Sequence, residues 1–139
     1  MMKRVLLAED EPNIVVSLKF LLGRAGFSVE ACDQGPEALA KALETPPDVM
    51  ILDVMLPGLD GFEILRRLRS DDRGCDLPVI VLTAKGQRED RETAKAAGAT
   101  MFMTKPFSNA ELVAAVTHLS GAASPRPAAP KVAANGRDG

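Results

Sequence analysis

Short, almost continuous apolar runs recur along this chain and alternate with segments of helical periodicity. Three runs, at residues 5–8, 49–52 and 79–82, contain apolar residues alone. Strands that are apolar on both faces belong to a parallel sheet with helices packed on either side. Two weaker runs complete the set at residues 29–32, which suit an edge strand, and at Met101–Thr104.

A segment with helical periodicity follows each of these predicted strands. After the first strand, Ile14, Leu18 and Leu22 fall on one face of a helix. The fourth helix, about residues 87–97, buries little more than two alanines and should be the loosest. Five strands and five helices in alternation predict a doubly wound α/β fold, although the alternation alone leaves the strand order open.

Composition narrows the class of protein. A chain of 139 residues suits one folded domain, and a formal net charge of −2 argues against a general nucleic-acid binder.

The start of the chain faintly imitates a signal peptide, but Glu9 ends its apolar part within about five residues, short of the roughly 7–15 required. We therefore expect a cytoplasmic protein without a membrane span, with a folded domain at residues 1–120. The Ala-, Pro- and Gly-rich residues 121–139 should form a disordered tail or linker.

Reactive side chains stand where the predicted strands end. Glu9 and Asp10 follow the first strand, Asp53 the third, Thr83 the fourth and Lys105 the fifth. In a parallel sheet these ends meet at one edge, where ligands of doubly wound folds bind.

This set of groups suits phosphoryl chemistry. Three crowded carboxylates destabilise one another, and Mg²⁺, which prefers oxygen ligands, removes that penalty. A carboxylate beside Mg²⁺ can attack a phosphoryl group and form an acyl phosphate, while Lys105 offsets phosphoryl charge and Thr83 offers a hydroxyl donor. Taken singly, Asp53 is more simply a helix cap and Lys105 a surface residue; only their combination at successive strand ends favours this interpretation.

Four motifs resemble the receiver domain of bacterial two-component response regulators. They are LAEDE at residues 7–11, DVMLPGLDG at 53–61, LTA at 82–84 and KPF at 105–107. The resemblance covers about residues 3–120. It implies a flavodoxin-like fold whose five-stranded parallel sheet has the order 2-1-3-4-5, with strands 1 and 3 at the centre.

The resemblance also implies a role for each site residue. Asp53 would be the phosphoacceptor, and a histidine kinase or histidine phosphotransfer protein would be the donor. Phe102 would be the switch aromatic that moves with Thr83, and the bond from Lys105 to Pro106 would be cis. The Mg²⁺ ligands would be Glu9, Asp10, Asp53 and the backbone carbonyl of Met55, with Thr83 and Lys105 on the phosphoryl group.

In the family that the chain resembles, the positions of Met55 and Lys85 help set how easily water reaches the acyl phosphate. Apolar Met55 cannot orient an attacking water as an amide or acid could, so we expect slow self-dephosphorylation. Together with Lys85, it resembles the receivers of transcription factors. The chain would catalyse only its own phosphorylation and dephosphorylation, and is not otherwise expected to be an enzyme.

Competing functions divide into two groups. A flavodoxin-like electron carrier needs a Ser/Thr/Gly-rich phosphate loop where this chain has Glu9-Asp10-Glu11, and haloacid dehalogenase-type phosphatases need a D-x-D motif that is missing after strand 1.

Two outputs stay open: a stand-alone receiver, or the receiver of a larger regulator such as a DNA-binding transcription factor. Helix 4, strand 5 and helix 5 would form the output face and could support a homodimer, with no nucleic-acid contact by this chain. The sequence does not name the downstream target.

Overall fold

The computed structural model describes residues 2–84 and 88–121. Within these ranges, five parallel strands form one sheet in the order β2-β1-β3-β4-β5, so the predicted fold class and strand order are confirmed. The predicted tail, apart from Gly121, lies outside the described residues, as do Lys85 and the predicted helix start at Gln87.

Strands and helices alternate along the described chain. The elements are β1 (Lys3–Ala8), α1 (Pro12–Arg24), β2 (Phe27–Cys32), α2 (Gly35–Glu44), β3 (Val49–Asp53), α3 (Gly61–Arg69), β4 (Val79–Thr83), α4 (Arg88–Ala97), β5 (Met101–Thr104) and α5 (Asn109–Ser120).

Two hydrophobic cores cover the two faces of the sheet. Along β3, Met50 and Leu52 enter one core, whereas Val49 and Ile51 enter the other. All four side chains are fully buried, which explains why the strand is a continuous apolar run. Burial of each such side chain stabilises the fold by roughly 1.5–3 kcal/mol. The first core includes Ala38 of α2, Leu65 of α3 and Ala94 of α4, and the second includes Leu18 of α1 and Leu112 of α5.

The helix ends follow the capping signals in the sequence. Asp60 accepts a hydrogen bond from the Phe62 N–H at 3.3 Å, and Ser108 accepts one from the Glu111 N–H at 3.2 Å. These side chains satisfy donors that the helices leave unpaired. None of the helices in residues 2–84 and 88–121 is long and apolar enough to cross a membrane.

Strand β2 and helix α1 differ from expectation. Strand β2 starts at Phe27, two residues before the predicted start, because Phe27 is buried in the second core and pairs with Lys3. On α1, Val16 and Phe20 are 68% and 60% exposed, although both are apolar. The guanidinium carbon of Arg24 lies 5.6 Å from the centre of the Phe20 ring.

Gly61 brings the start of α3 against the end of β3. Its N–H donates to the Val54 carbonyl at 3.2 Å. A Cβ at this position would lie 2.4 Å from Val54 Cα, which is backbone and cannot move aside. Only glycine allows this approach, which fixes the loop that follows Asp53.

Gly61→Ala should destabilise the protein by about 2–3 kcal/mol because the added carbon forces two backbone segments apart. Gly23→Ala is the matched control, because a Cβ there meets nothing within 4 Å. In that helical position alanine should be neutral or stabilising by up to about 1 kcal/mol. Urea unfolding followed by circular dichroism measures both, and equal stability of the two variants would contradict the close-approach argument.

Candidate functional site

Asp53 is the last residue of β3, at the centre of the carboxyl edge of the sheet. The residue is only 2% exposed. Its Oδ1 accepts a hydrogen bond from the Met55 N–H at 2.9 Å, and its Oδ2 accepts one from Lys105 Nζ at 3.1 Å. Both carboxylate oxygens are therefore oriented by neighbours on different elements.

Glu9 and Asp10 directly follow β1, the strand beside β3. The Glu9 N–H donates to the Cys32 carbonyl on β2 at 3.0 Å, which fixes the turn leaving the sheet. Glu9 is 1% exposed, whereas Asp10 is exposed. Carboxylate oxygens of Glu9, Asp10 and Asp53 all lie within 4.8 Å of one another. The structure thus brings together the three predicted acids.

Lys105 reaches the acidic cluster from the end of β5. Its N–H donates to the Thr83 carbonyl at 2.7 Å, and its peptide bond with Pro106 is cis. The Nζ atom lies 3.0 Å from Glu9 Oε1, 2.9 Å from Glu11 Oε1 and 3.1 Å from Asp53 Oδ2. One ammonium group therefore faces three carboxylates.

The pKa values of Glu9 and Lys105 are both raised. Burial raises the pKa of Glu9 to about 7, the nearby Asp53 adds to this rise, and bonds from the Glu11 N–H and Lys105 only partly oppose it. Burial by itself would lower the pKa of Lys105, but hydrogen bonds to Glu11, Glu9 and Asp53 outweigh burial and raise it. Lys105 thus keeps its charge, and Glu9 is the group that takes up a proton when the cluster is too negative.

Thr83 lies on β4, the strand beside β3, and Phe102 lies on the edge strand β5. Thr83 is the last residue of β4, is buried, and lies in register with Thr104 of β5. Phe102 is half-buried at the margin of the first core, two residues before Thr104, and is separate from the acidic cluster. The guanidinium carbon of Arg91 on α4 lies 5.1 Å from the centre of the Phe102 ring, within range of a cation–π contact.

Sequence reasoning did not include Glu11 and Arg91 among the functional residues. Glu11 stands next to the acidic pair, so its position gave a signal, but its bond to Lys105 depends on a side-chain direction that the sequence does not encode. Arg91 contacts a ring eleven residues away on another element, and no local pattern indicates that pairing.

The chemistry of the cluster fits a hard divalent cation. All three acids offer oxygen ligands, which Mg²⁺ prefers. Within the described residues, Glu9 Oε1 is buried and accepts no hydrogen bond, although Lys105 Nζ is at ion-pair distance; the ammonium bonds Oε2 instead, at 3.3 Å. A buried carboxylate oxygen without a hydrogen bond is costly, and a cation would satisfy it.

The carboxyl edge of this doubly wound sheet gathers acids from the central strands β1 and β3 and a lysine that follows the edge strand β5, an arrangement typical of one class of signalling domain. The model of the response regulator receiver domain family matches residues 5–117, and the chain belongs to that family. Receiver domains are signalling switches rather than classical enzymes, and they receive phosphoryl groups from histidine kinases.

Curated relatives include two bacterial transcriptional regulators. The transcriptional regulatory protein TrcR of Mycobacterium tuberculosis is 48% identical over 111 residues, which are 80% of this chain and 42% of TrcR. The phosphate regulon regulatory protein PhoB of Rhizobium meliloti is 40% identical over 125 residues, which are 90% of this chain and 55% of PhoB. The chain thus spans about half the length of these relatives.

Solved structures of receiver domains share the whole fold. The chemotaxis response regulator CheY4 of Vibrio cholerae has a TM-score of 0.80 and 34% identity, covering 86% of this chain and 99% of CheY4. The receiver domain of a Pseudomonas aeruginosa sensor histidine kinase has a TM-score of 0.80 and 31% identity, covering 88% of this chain and all of that domain. That domain holds a magnesium ion in its active-site cleft.

The raised pKa of Glu9 predicts how stability depends on pH without metal. The folded state holds the Glu9 proton up to about pH 7, whereas the unfolded chain releases it near pH 4.5. The free energy of unfolding should therefore fall by up to about 3 kcal/mol as the pH rises between these values. Urea unfolding in the presence of a chelator measures this slope. Glu9→Gln should flatten it and Glu37→Gln should not; an unchanged slope in Glu9→Gln would contradict the assignment.

Proposed function

We propose that this chain is a phosphorylation-activated switch in which Asp53 accepts a phosphoryl group from a histidine kinase or a histidine phosphotransfer protein. The observation that carries the proposal is the convergence of Asp53, the acidic pair Glu9 and Asp10, and Lys105 at one edge of the sheet. Asp53 is held by its neighbours, is almost fully buried, and is therefore presented as a nucleophile in one orientation.

The chemical step transfers the group between two proteins. A carboxylate oxygen of Asp53 attacks phosphorus, a P–O bond forms, and the P–N bond to the donor histidine breaks, leaving a neutral imidazole after it takes up a proton. Lys105 holds its positive charge beside Asp53 throughout, and Thr83 at the end of β4 donates its hydroxyl to a phosphoryl oxygen. Magnesium held by Glu9, Asp10, Asp53 and the Met55 carbonyl would supply charge against the phosphoryl oxygens.

The switch connects the site with the face formed by α4, β5 and α5. Thr83 and Phe102 lie on adjacent strands, so a movement of Thr83 toward the phosphoryl group leaves space that the ring can enter. Entry would end the contact of Phe102 with Arg91 and alter the surface of α4, which is anchored by little more than Ala94 and Ala97. Phosphorylation thus shifts an existing equilibrium of this face.

The partner that contacts the face formed by α4, β5 and α5 determines the output of the switch. Relatives named as transcriptional regulators extend well beyond the aligned region, which favours a receiver that belongs to a larger DNA-binding regulator. A stand-alone receiver that acts on a protein target is the second candidate. In either case we propose that this chain contacts proteins rather than nucleic acid, with a homodimer through α4, β5 and α5 as one arrangement, and that it acts in the cytoplasm.

Asp53→Asn should abolish labelling of the protein by acetyl phosphate or phosphoramidate with Mg²⁺, because the nucleophile is lost. Intact-mass spectrometry measures the added phosphoryl group. Asp10→Asn should label weakly through loss of a metal ligand, and Glu37→Gln, an exposed acid in the adjoining cavity, should label like the native protein. Equal labelling of native protein and Asp53→Asn would overturn the proposal.

Met55→Asn should shorten the lifetime of the acyl phosphate. The Met55 side chain is exposed beside Asp53, and an amide there can orient an attacking water that a thioether cannot. We expect acceleration of about threefold or more, below the roughly 100-fold contributed by a general base. Decay of labelled protein measures the rate, with Met55→Leu as the apolar control. Equal decay in the two variants would refute this role.

A further inference from the structure

Lys105 has one partner that does not belong to the predicted site. Of its three carboxylates, the side chains of Glu9 and Asp53 are 0% and 3% exposed, whereas that of Glu11 is 59% exposed. The distance from Nζ to Glu11 Oε1 is 2.9 Å, slightly shorter than to either buried acid. Glu11 therefore holds the ammonium from the solvent side of the cluster.

Hydrogen bonds fix the backbone of Glu11, whereas its side chain contacts Lys105. Glu11 occupies the N-cap position of α1, its N–H donates to Glu9 Oε2 at 3.1 Å, and its carbonyl accepts the Val15 N–H at 3.0 Å. A side chain at this position commonly accepts a hydrogen bond from the first turn of the helix. The Glu11 side chain makes no such bond and points to Lys105 instead.

Charge in the cluster makes this contact more than a surface ion pair. The ammonium lies at ion-pair distance from Glu9 and Asp53, the same carboxylates that would hold a magnesium ion. Two cations close to the same oxygens repel each other, because the effective dielectric constant of a protein, about 20, screens charges less than water does. A magnesium ion at this site would therefore weaken the bonds of Lys105 to Glu9 and Asp53, and Glu11 is the carboxylate outside the metal ligands that already contacts the ammonium.

We propose that Glu11 is a positioning residue that retains the Lys105 ammonium at the mouth of the site when magnesium takes over Glu9 and Asp53. This inference rests on the proposed magnesium-dependent function. Without Glu11, the carboxylates that remain at ion-pair distance from the ammonium, among residues 2–84 and 88–121, belong to the metal ligands themselves, so Lys105 competes more strongly with the metal. Glu11 thereby raises magnesium affinity and keeps Lys105 next to the position that the phosphoryl group will take.

Magnesium titration of the purified protein by calorimetry tests the proposal; the chain has no Trp or Tyr to report binding by fluorescence. The variants are Glu11→Gln and the matched control Glu37→Gln. Glu37 is exposed and lines a cavity with Glu9 and Asp10. It is a suitable control because the ion pairs of Lys105 described above are with Glu9, Glu11 and Asp53. We expect Glu11→Gln to weaken binding at least about threefold more than Glu37→Gln, beyond the loss of one charge. Equal weakening in the two variants would overturn the proposal.

A double-mutant cycle separates the contact with Lys105 from general charge. In a Lys105→Gln background, Glu11→Gln should weaken magnesium binding no more than Glu37→Gln does, because the ammonium that Glu11 holds is gone. An effect of Glu11→Gln that is the same in both backgrounds would refute the retention role. Native protein that binds no magnesium would instead refute the metal site of the proposed function, and the two failures are thus distinguishable.

Discussion

Everything at the carboxyl edge of this sheet depends on an excess of negative charge that the fold imposes. Glu9 and Asp10 directly follow β1, and Asp53 ends the neighbouring strand β3. Two of these acids, Glu9 and Asp53, are almost completely buried. Burying one unpaired carboxylate is costly, and burying two side by side costs more. Lys105 offsets only part of this charge. Burial, with a smaller contribution from Asp53, raises the pKa of Glu9, and within the described residues its buried Oε1 accepts no hydrogen bond. The excess negative charge favours binding of a cation, and a bound cation would in turn offset the charge of a phosphoryl group.

The rest of the fold holds these groups in place. Two cores immobilise the central strands, Gly61 lets α3 approach the loop after Asp53, and the N–H of Lys105 is bonded to the last carbonyl of β4. Helix α4 is the exception, because its buried side chains are small. A rigid site beside a weakly anchored helix is the arrangement that lets a local change of charge alter a distant surface.

Much of the fold could be predicted because both faces of the central strands are buried, and this leaves continuous apolar runs in the sequence. The acids and Lys105 could be located because parallel strand ends share one edge. The start of β2 at Phe27 was missed because an edge strand carries a weaker pattern. The directions of the Glu11 and Arg91 side chains could not be predicted, since each is set by a partner on a distant element. The roles of all the site residues, Asp53 and Lys105 as well as Thr83, Phe102 and Met55, stay predictions, because they concern a phosphorylated state.

In the proposed switch, one particular carboxylate, that of Asp53, carries the phosphoryl group. An acyl phosphate is reduced by borohydride to an alcohol, so the modified aspartate becomes homoserine and can be located by peptide sequencing in a mass spectrometer. After treatment with phosphoramidate and Mg²⁺, we predict homoserine in place of Asp53 and unmodified acids at Glu9, Asp10 and Glu11. Homoserine at another aspartate, with Asp53 intact, would contradict the account.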